Sequence, residues 1–187
     1  MVRSFDGAPV DPSRLDELCA LALWSPTAGN SAGVRMHTIA HEHLGAYFTV
    51  ATDEAWRDNA PRATGLQRAG AVVLVTSRRD DYTSRYAEDD KRHSGLERED
   101  AWPIPYWHTD AAMATMALLL LLEEAGLHAA LWGNFRHEAS ILRWARIESE
   151  ELFASVLIGH ADGNDVASAS LSRDVPSRVN RVRRVVP

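Results

Sequence analysis

The sequence predicts one domain in which helices cover a central sheet of about four or five strands, an α+β or α/β sandwich. Two runs rich in aliphatic and β-branched residues, 71–76 and 152–158, are typical of strands buried on both faces. A long apolar segment, 109–126, is typical of a buried helix. The 187 residues contain neither an internal repeat nor a linker-like segment, so we expect a single domain over 1–187.

The first third of the chain predicts one helix and two strands. Asp11 can cap the free amides of a helix, and Pro12 suits its first position, so this helix should run to about Leu23. Strand-like runs follow at 35–40 and 47–51.

The middle of the chain predicts a long excursion followed by the longest helix. Residues 78–100 are dense in charge of both signs and should be partly helical, and two prolines stop regular structure within 101–107. The helix 109–126 should then begin with Thr109 as its cap and Asp110 in its first turn, and it should end at Gly126. Its apolar residues predict that it is buried nearly all round.

The last third predicts two strands, one helix and a tail. Strand 128–132 should end before Gly133, and Asn134 can cap a helix over 136–145. Strand 152–158 is ended by Gly159, and the segment 160–187 should be an extended tail, polar at first and then basic.

Composition excludes several functional classes. A net charge of −6 argues against a dedicated nucleic-acid binder, and an apolar run of only 111–122 is too short to span a bilayer, which needs roughly 20 residues. The single cysteine, Cys19, rules out a disulfide within the chain and fits a reducing cytoplasm, and the N-terminus shows no signal-peptide pattern. We therefore expect a cytoplasmic protein with neither a nucleic-acid nor a membrane partner.

Residues 25–33 form a loop with an unusual number of small residues. Pro26, Gly29, Asn30 and Gly33 alternate with hydroxyl side chains. Such a loop can let a cofactor lie against the backbone while hydroxyls and amides donate hydrogen bonds to it. It can also be a long turn between helix and strand, which composition alone favours. It is not a P-loop, because no Gly-Lys-Ser/Thr follows.

Three further segments each allow two interpretations. The turn 127–135 can offer amides to an electron-rich ligand, or it can be an ordinary strand-to-helix connection. The tail arginines can bind a phosphate, or they can be a solvated end of the chain. The aromatic segment 102–107 can line a pocket for a flat ligand, although we favour a loop held by apolar anchors. The arginines of the tail are Arg173, Arg178, Arg181, Arg183 and Arg184.

The histidines and the cysteine do not predict a metal or nucleophilic site. His37 should lie in a strand while His41 and His43 lie in a turn, and no cysteine joins them, so we expect no bound metal. Cys19 lies on the apolar side of the first helix and is expected to be a small buried residue.

Five short segments together indicate a family. They are Val2-Arg-Ser-Phe5 with Pro9-Val10, Ser25-Pro-Thr-Ala-Gly-Asn30, the segment 110–127, Trp132-Gly-Asn-Phe135 and Leu157-Ile-Gly-His160. Their order and spacing resemble those of the nitroreductase family of flavin enzymes along nearly the whole chain. The resemblance implies an α/β/α sandwich with a mostly antiparallel sheet, and a homodimer with FMN at its interface.

The resemblance also implies a reaction and a set of cofactor contacts. NADH or NADPH would be the electron donor, and a nitro, quinone or related compound would be the acceptor, in a ping-pong cycle of hydride transfer through FMN. Arg3 and an arginine of the tail, first of all Arg173, would hold the FMN phosphate. The amide of Gly133 would face the ring nitrogen that receives hydride. The residues that would contact the flavin from the small-residue loop are Pro26, Thr27, Ala28 and Asn30.

The excursion over 78–107 is expected to be a lid that selects the electron acceptor. Long segments without a clear core pattern are often lids or binding loops. Its rigid apolar residues, Trp102, Tyr106 and Trp107, are the candidate substrate contacts. Two alternatives to the enzyme remain: a protein that sequesters flavin without turnover, and a chain of the same fold that has lost flavin and serves as a binding partner.

Overall fold

Four strands form one antiparallel sheet in the computed structural model, which describes residues 1–175 and 181–185. The strands are β1 (Val34–Ala40), β2 (Ala71–Ser77), β3 (His128–Trp132) and β4 (Glu151–Gly159). Their order across the sheet is β1-β2-β4-β3, so β1 and β3 are the two edges and the fully buried β2 is central. The predicted α+β sandwich with an antiparallel sheet is confirmed.

Seven α-helices lie among the described residues, and the longest ones cover the two faces of the sheet. On one face α1 and α6 pack against Val73 and Val156. On the other face α2 and α7 pack against Leu74 and Leu157. None of these helices has the length and apolar character needed to cross a membrane. The helices are α1 (Pro12–Ala22), α2 (Leu44–Ala51), α3 (Glu54–Asn59), α4 (Ala63–Gln67), α5 (Arg79–Tyr86), α6 (Tyr106–Glu124) and α7 (Glu138–Ala145).

The predicted strand over 47–51 is wrong, because this segment is the second half of helix α2. The buried residues of α2 are Leu44, Tyr47, Phe48 and Ala51. They are spaced at i, i+3, i+4 and i+7, which is the apolar stripe of a helix. A window that begins at Tyr47 contains too little of this stripe to separate a helix from a strand.

Helix α6 begins earlier than predicted and has a different cap. It starts at Tyr106 directly after Pro105, so Thr109 lies within the helix. The Thr109 hydroxyl donates a hydrogen bond of 3.3 Å to the Pro105 carbonyl and does not cap the helix amides. Gly126, with φ of +74°, follows the end of the helix as predicted.

Helix α6 is not buried all round in the single chain. Met116 and Leu120 are 52% and 60% exposed, and Met113 lies one turn before Met116 on the same side. Leu21 and Trp24, at the end of the neighbouring helix α1, are exposed as well. We call these five residues the α1–α6 surface.

The turn after β3 also differs from its prediction. Helix α7 begins at Glu138 instead of Arg136, and Asn134 is not its cap. The Asn134 side-chain oxygen instead accepts a hydrogen bond of 2.6 Å from the Ser155 hydroxyl on β4. Gly133 therefore lies between a strand and a turn, and it does not lie at the start of a helix.

Cys19 is buried as predicted, and its environment suppresses ionisation. Burial, and secondarily the negative charge of Asp16, raises the pKa of the Cys19 thiol to about 12. At pH 8 the thiolate fraction should therefore be about a thousandfold or more below that of an ordinary cysteine.

We expect a disulfide reagent to label Cys19 at pH 8 far more slowly in the folded protein than in the urea-unfolded protein. Equal labelling rates in the two states would contradict this environment.

Candidate functional site

Arg3 lies beside β3, at the edge of the sheet. The Val2 amide donates to the Ala129 carbonyl at 3.0 Å, so the N-terminal segment runs along this edge strand. The backbone of Arg3 also lies against Gly65 of α4, where an added Cβ would come within 2.7 Å of the Arg3 carbonyl. Among the described residues the Arg3 guanidinium has neither an ion-pair nor a hydrogen-bond partner. Its charge is therefore available to an anion.

Gly133 follows β3 directly and lines a small cleft of 210 Å³. A Cβ added here would meet the Phe135 ring at 2.5 Å, but Phe135 is 98% exposed and free to move aside. The φ of Gly133 is not positive either. Neither the backbone conformation nor a rigid neighbour therefore requires glycine at this position. The floor of the cleft includes Trp56 and Trp132, whose rings stack at a centroid distance of 5.2 Å.

The hydroxyl groups of the small-residue loop 25–33 shape the loop itself. Ser25 and Ser31 donate to the carbonyls three residues before them, at 2.8 and 2.6 Å. The Thr27 hydroxyl accepts a bond from the Ala32 amide at 3.3 Å. The Asn30 side chain makes no hydrogen bond with any described residue. The loop therefore offers a ligand the Asn30 amide group and its backbone, and its hydroxyls are already engaged.

The glycines of this loop are explained by helix α5. An added Cβ at Gly29 would come within 2.6 Å of the Tyr86 ring, and one at Gly33 would come still closer to the Tyr82 ring. The Arg85 side chain donates to the Gly29 carbonyl at 2.9 Å. The small residues therefore allow α5 to pack directly on the loop backbone. The sequence could not reveal this contact, because small residues in a loop can make room either for a ligand or for a neighbouring side chain of the protein.

Asp110 holds the same loop from the other side. Its carboxylate is 1% exposed, and one oxygen accepts both the Ala28 amide at 2.8 Å and the Tyr82 hydroxyl at 3.0 Å. Burial raises the pKa of Asp110, and the hydrogen bonds from Ala28 and Tyr82 partly oppose this rise. Burial and the nearby Asp110 charge also raise the pKa of Tyr82. The sequence places Asp110 only in the first turn of a helix; its signal is that it is the one carboxylate within the apolar stretch 106–122.

The three aromatic residues assigned to the acceptor have different environments. Trp102 and Trp107 are buried in one cluster with Tyr82, and the Trp102 indole donates to the Leu96 carbonyl at 2.8 Å. Both tryptophans therefore anchor the excursion, and they also border an open cavity of 520 Å³. Tyr106 is 37% exposed and is the most accessible of the three.

One chain does not bring all the predicted cofactor residues together. Arg3 and Gly133 lie at the β3 edge, whereas the small-residue loop leads into β1 at the opposite edge. Neighbouring strands lie about 4.8 Å apart, so three steps across the sheet separate the two edge strands by about 14 Å. A single ligand ring cannot touch both groups within one chain.

The tail begins near Arg3, and its described arginines are exposed. Asp162 accepts a hydrogen bond of 2.8 Å from the Ser4 hydroxyl, which fastens the start of the tail to the N-terminal segment. Arg173 is exposed and follows a short turn of 3₁₀ helix, and its side chain forms neither a hydrogen bond nor an ion pair with a described residue. Arg178 lies outside the described residues. The other tail arginines, all exposed, are Arg181, Arg183 and Arg184.

The histidines do not converge. His37 lies within hydrogen-bond distance of Glu150, at 2.9 Å, and of the Thr76 hydroxyl, at 3.1 Å. His41 and His43 belong to a 3₁₀ turn that follows β1. Within residues 1–175 and 181–185, no three His, Cys, Asp or Glu side chains are grouped as metal ligands.

Solved structures with the same fold extend over almost all of this chain. Nitroreductase CinD from Lactococcus lactis, in complex with nicotinic acid, is 14% identical and superposes with a TM-score of 0.75 over 100% of this chain and 95% of that chain. A nitroreductase family protein from Streptococcus pneumoniae TIGR4 is 14% identical, with a TM-score of 0.71 over 99% and 94% of the two chains. An oxidoreductase containing FMN is 19% identical, with a TM-score of 0.63 over 86% and 72%.

The sequence itself assigns the family. No curated protein matches the chain in sequence. The family model described as the nitroreductase family matches residues 1–160, which is most of the 187-residue chain. The chain belongs to the nitroreductase family.

Proposed function

We propose that this protein is an FMN-dependent oxidoreductase that uses NADH or NADPH to reduce a nitro, quinone or related acceptor. Membership of the nitroreductase family over residues 1–160 supports flavin chemistry. The observation that carries the proposal is Gly133, a glycine that its own fold does not require, in the lining of an aromatic cleft. Glycine at such a position leaves room for a flat ring to approach the backbone.

The residues present fit FMN. The Arg3 guanidinium is unpaired within residues 1–175 and 181–185, and guanidinium groups bind phosphate with charge-assisted hydrogen bonds. The Asn30 side-chain amide has no hydrogen-bond partner in the described part of the chain, and it can donate to and accept from polar atoms of the cofactor. The cleft at Gly133 measures 210 Å³, below the usual 300–1,000 Å³ of a complete ligand pocket, which supports a site completed by a second copy of the chain.

In this proposal the protein supplies binding, orientation and electrostatics, and no side-chain acid or base is required. When bound, FMN supplies the hydride chemistry between NAD(P)H and the acceptor, in ping-pong order. Arg3 and Arg173 hold the phosphate. The Gly133 amide donates a hydrogen bond toward the ring nitrogen and stabilises added electron density there. Residues 26–30 orient the flavin and exclude water from it, with Pro26, Thr27, Ala28 and Asn30 as the contacts.

We infer that the functional unit is a homodimer. The α1–α6 surface leaves several large apolar side chains exposed, and Trp24 among them is 87% exposed. Contiguous apolar patches of this kind usually mark an interface, and two-fold pairing is the commonest way to cover one. A second copy could also bring its own loop to the Gly133 edge of the first, which a single chain cannot do.

The acceptor is proposed to bind beside the excursion 78–107. Tyr106 is the exposed aromatic residue there, while Trp102 and Trp107 border the neighbouring cavity and support its wall. A flat aromatic acceptor suits such a lining.

The proposed function is tested by an absorption spectrum of the protein with added FMN, followed by anaerobic addition of NADH or NADPH. We expect a bound flavin spectrum that bleaches on adding the donor and recovers on adding a quinone. Bound flavin that neither donor reduces would favour the alternative, a flavin-sequestering protein. Failure to bind FMN would favour a chain that has lost its cofactor.

We predict that Arg3→Ala weakens FMN binding by about 10- to 100-fold, because a hydrogen bond to a charged group contributes about 1.5–3 kcal/mol. The dissociation constant is measured by quenching of FMN fluorescence. Arg14→Ala is the matched control, since Arg14 is an exposed arginine on α1 that pairs with Glu17. Arg3 is not a phosphate ligand if the two variants bind FMN equally well.

We predict that Gly133→Val folds normally but loses or misplaces FMN. The added side chain displaces only the exposed Phe135 ring, yet it occupies the approach to the backbone amide. Melting temperature, FMN affinity and reduction rate are compared with those of Gly45→Val, a glycine of α2 with open space around it. A folded Gly133→Val protein with wild-type FMN affinity and reduction rate would refute the assigned role.

We predict that Met116→Lys converts a dimer into a monomer at micromolar concentration, because it places a charge in the centre of the α1–α6 surface. Sedimentation velocity measures the mass. Ala139→Lys, on the exposed side of α7 and on the other face of the sheet, should leave the mass unchanged. A wild-type protein that is already monomeric would contradict the proposed dimer.

A further inference from the structure

We propose that Asp110 is a positioning residue for the cofactor loop, and that it fixes the loop backbone through the Ala28 amide. This inference rests on the proposed function, since it assigns a task to a loop proposed to contact FMN. Asp110 is buried on the core helix α6, and its carboxylate oxygen lies 2.8 Å from the Ala28 nitrogen. The two residues are 82 positions apart in the chain, so this contact ties the loop to the core.

The loop needs an external constraint because its backbone is strained. Gly29, Asn30 and Ala32 all have positive φ, at 62°, 58° and 50°. Alanine and asparagine adopt this left-handed region at an energetic cost, and such conformations persist only where the surroundings hold them. The Ala28 amide lies immediately before this strained segment. A bond at Ala28 therefore fixes the point from which the strained turn departs.

Asp110 joins a second element to the same point. Its oxygen also accepts the Tyr82 hydroxyl at 3.0 Å, and the Tyr82 ring fills the space beside Gly33 at the end of the loop. The middle and the end of the loop are thus held by one carboxylate, directly through Ala28 and indirectly through Tyr82. On the outer side, the Arg85 side chain holds the Gly29 carbonyl at 2.9 Å.

The carbonyl oxygen of an asparagine could replace this function of Asp110. Both bonds are accepted by a single oxygen, so an amide oxygen at the same place can accept them too. Alanine cannot accept either bond. A positioning role therefore predicts that asparagine rescues what alanine loses, whereas a role that needs the negative charge predicts that both variants fail.

The test is amide hydrogen exchange at Ala28 in the full-length protein without FMN, together with the FMN dissociation constant. We expect Asp110→Ala to speed exchange at Ala28 by about 10- to 100-fold, which corresponds to losing a hydrogen bond to a charged group, and to weaken FMN binding by at least about 10-fold. Asp110→Asn should lie closer to the wild type than Asp110→Ala does in both measurements, because it keeps an acceptor for both bonds. Thr115→Val is the matched control, because Thr115 is a buried polar residue of α6 whose hydroxyl, among the described residues, bonds only to the Ala111 carbonyl.

Unchanged exchange at Ala28 in Asp110→Ala, or an equal effect in Thr115→Val, would overturn the inference. If Asp110→Ala does not fold, Tyr82→Phe decides the question. It removes one donor and keeps the ring, and it should speed Ala28 exchange measurably, while no change would count against the proposal. Hydrogen exchange is measured without FMN, so it tests the role of Asp110 independently of cofactor binding. A wild-type protein that binds no FMN would refute the proposed function without changing the exchange result.

Discussion

The carboxylate of Asp110 is the point at which three parts of the structure meet. It belongs to α6, whose apolar side forms the core of one face of the sheet. From there it accepts the Ala28 amide of the small-residue loop and the Tyr82 hydroxyl of α5. Both donors go to the same carboxylate oxygen, which would be costly to bury without them, so core, loop and excursion must assemble together. The loop thereby takes its position from the core helix, although it lies near the surface.

The small-residue loop 25–33 has a structural role and a proposed functional role. Its glycines accommodate the rings of Tyr82 and Tyr86, and its hydroxyls bond to nearby backbone. The features that first indicate a ligand therefore also have an internal explanation. What remains available to a ligand is the Asn30 side chain and exposed backbone, on a frame that α5 and α6 hold fixed. A rigid frame of this kind reduces the entropy that ligand binding must overcome.

Much of the sheet is predictable from sequence, while the contacts that shape the site are not. Strands β2 and β4 are apolar runs that can only be buried, and the order of five short motifs is enough to indicate the family. The strand predicted within helix α2 is wrong because the apolar stripe begins at Leu44, three residues before the run that resembles a strand. The role of Asp110 is not predictable because its partners, Ala28 and Tyr82, are distant in sequence. Local patterns do not encode such long-range pairs.

The central claim is that Arg3 and Gly133 of one copy and the loop 26–30 of another meet on one FMN. The edges of the sheet that carry them lie about 14 Å apart within a chain, so the claim depends on the second copy. A crystal structure of the FMN complex tests this most directly. The account predicts a two-fold dimer across the α1–α6 surface, with the Gly133 amide at the flavin ring and the partner's loop against it. Two results would contradict it: an FMN molecule that contacts only one chain, or one that lies away from Gly133 or away from the loop 26–30 of both chains.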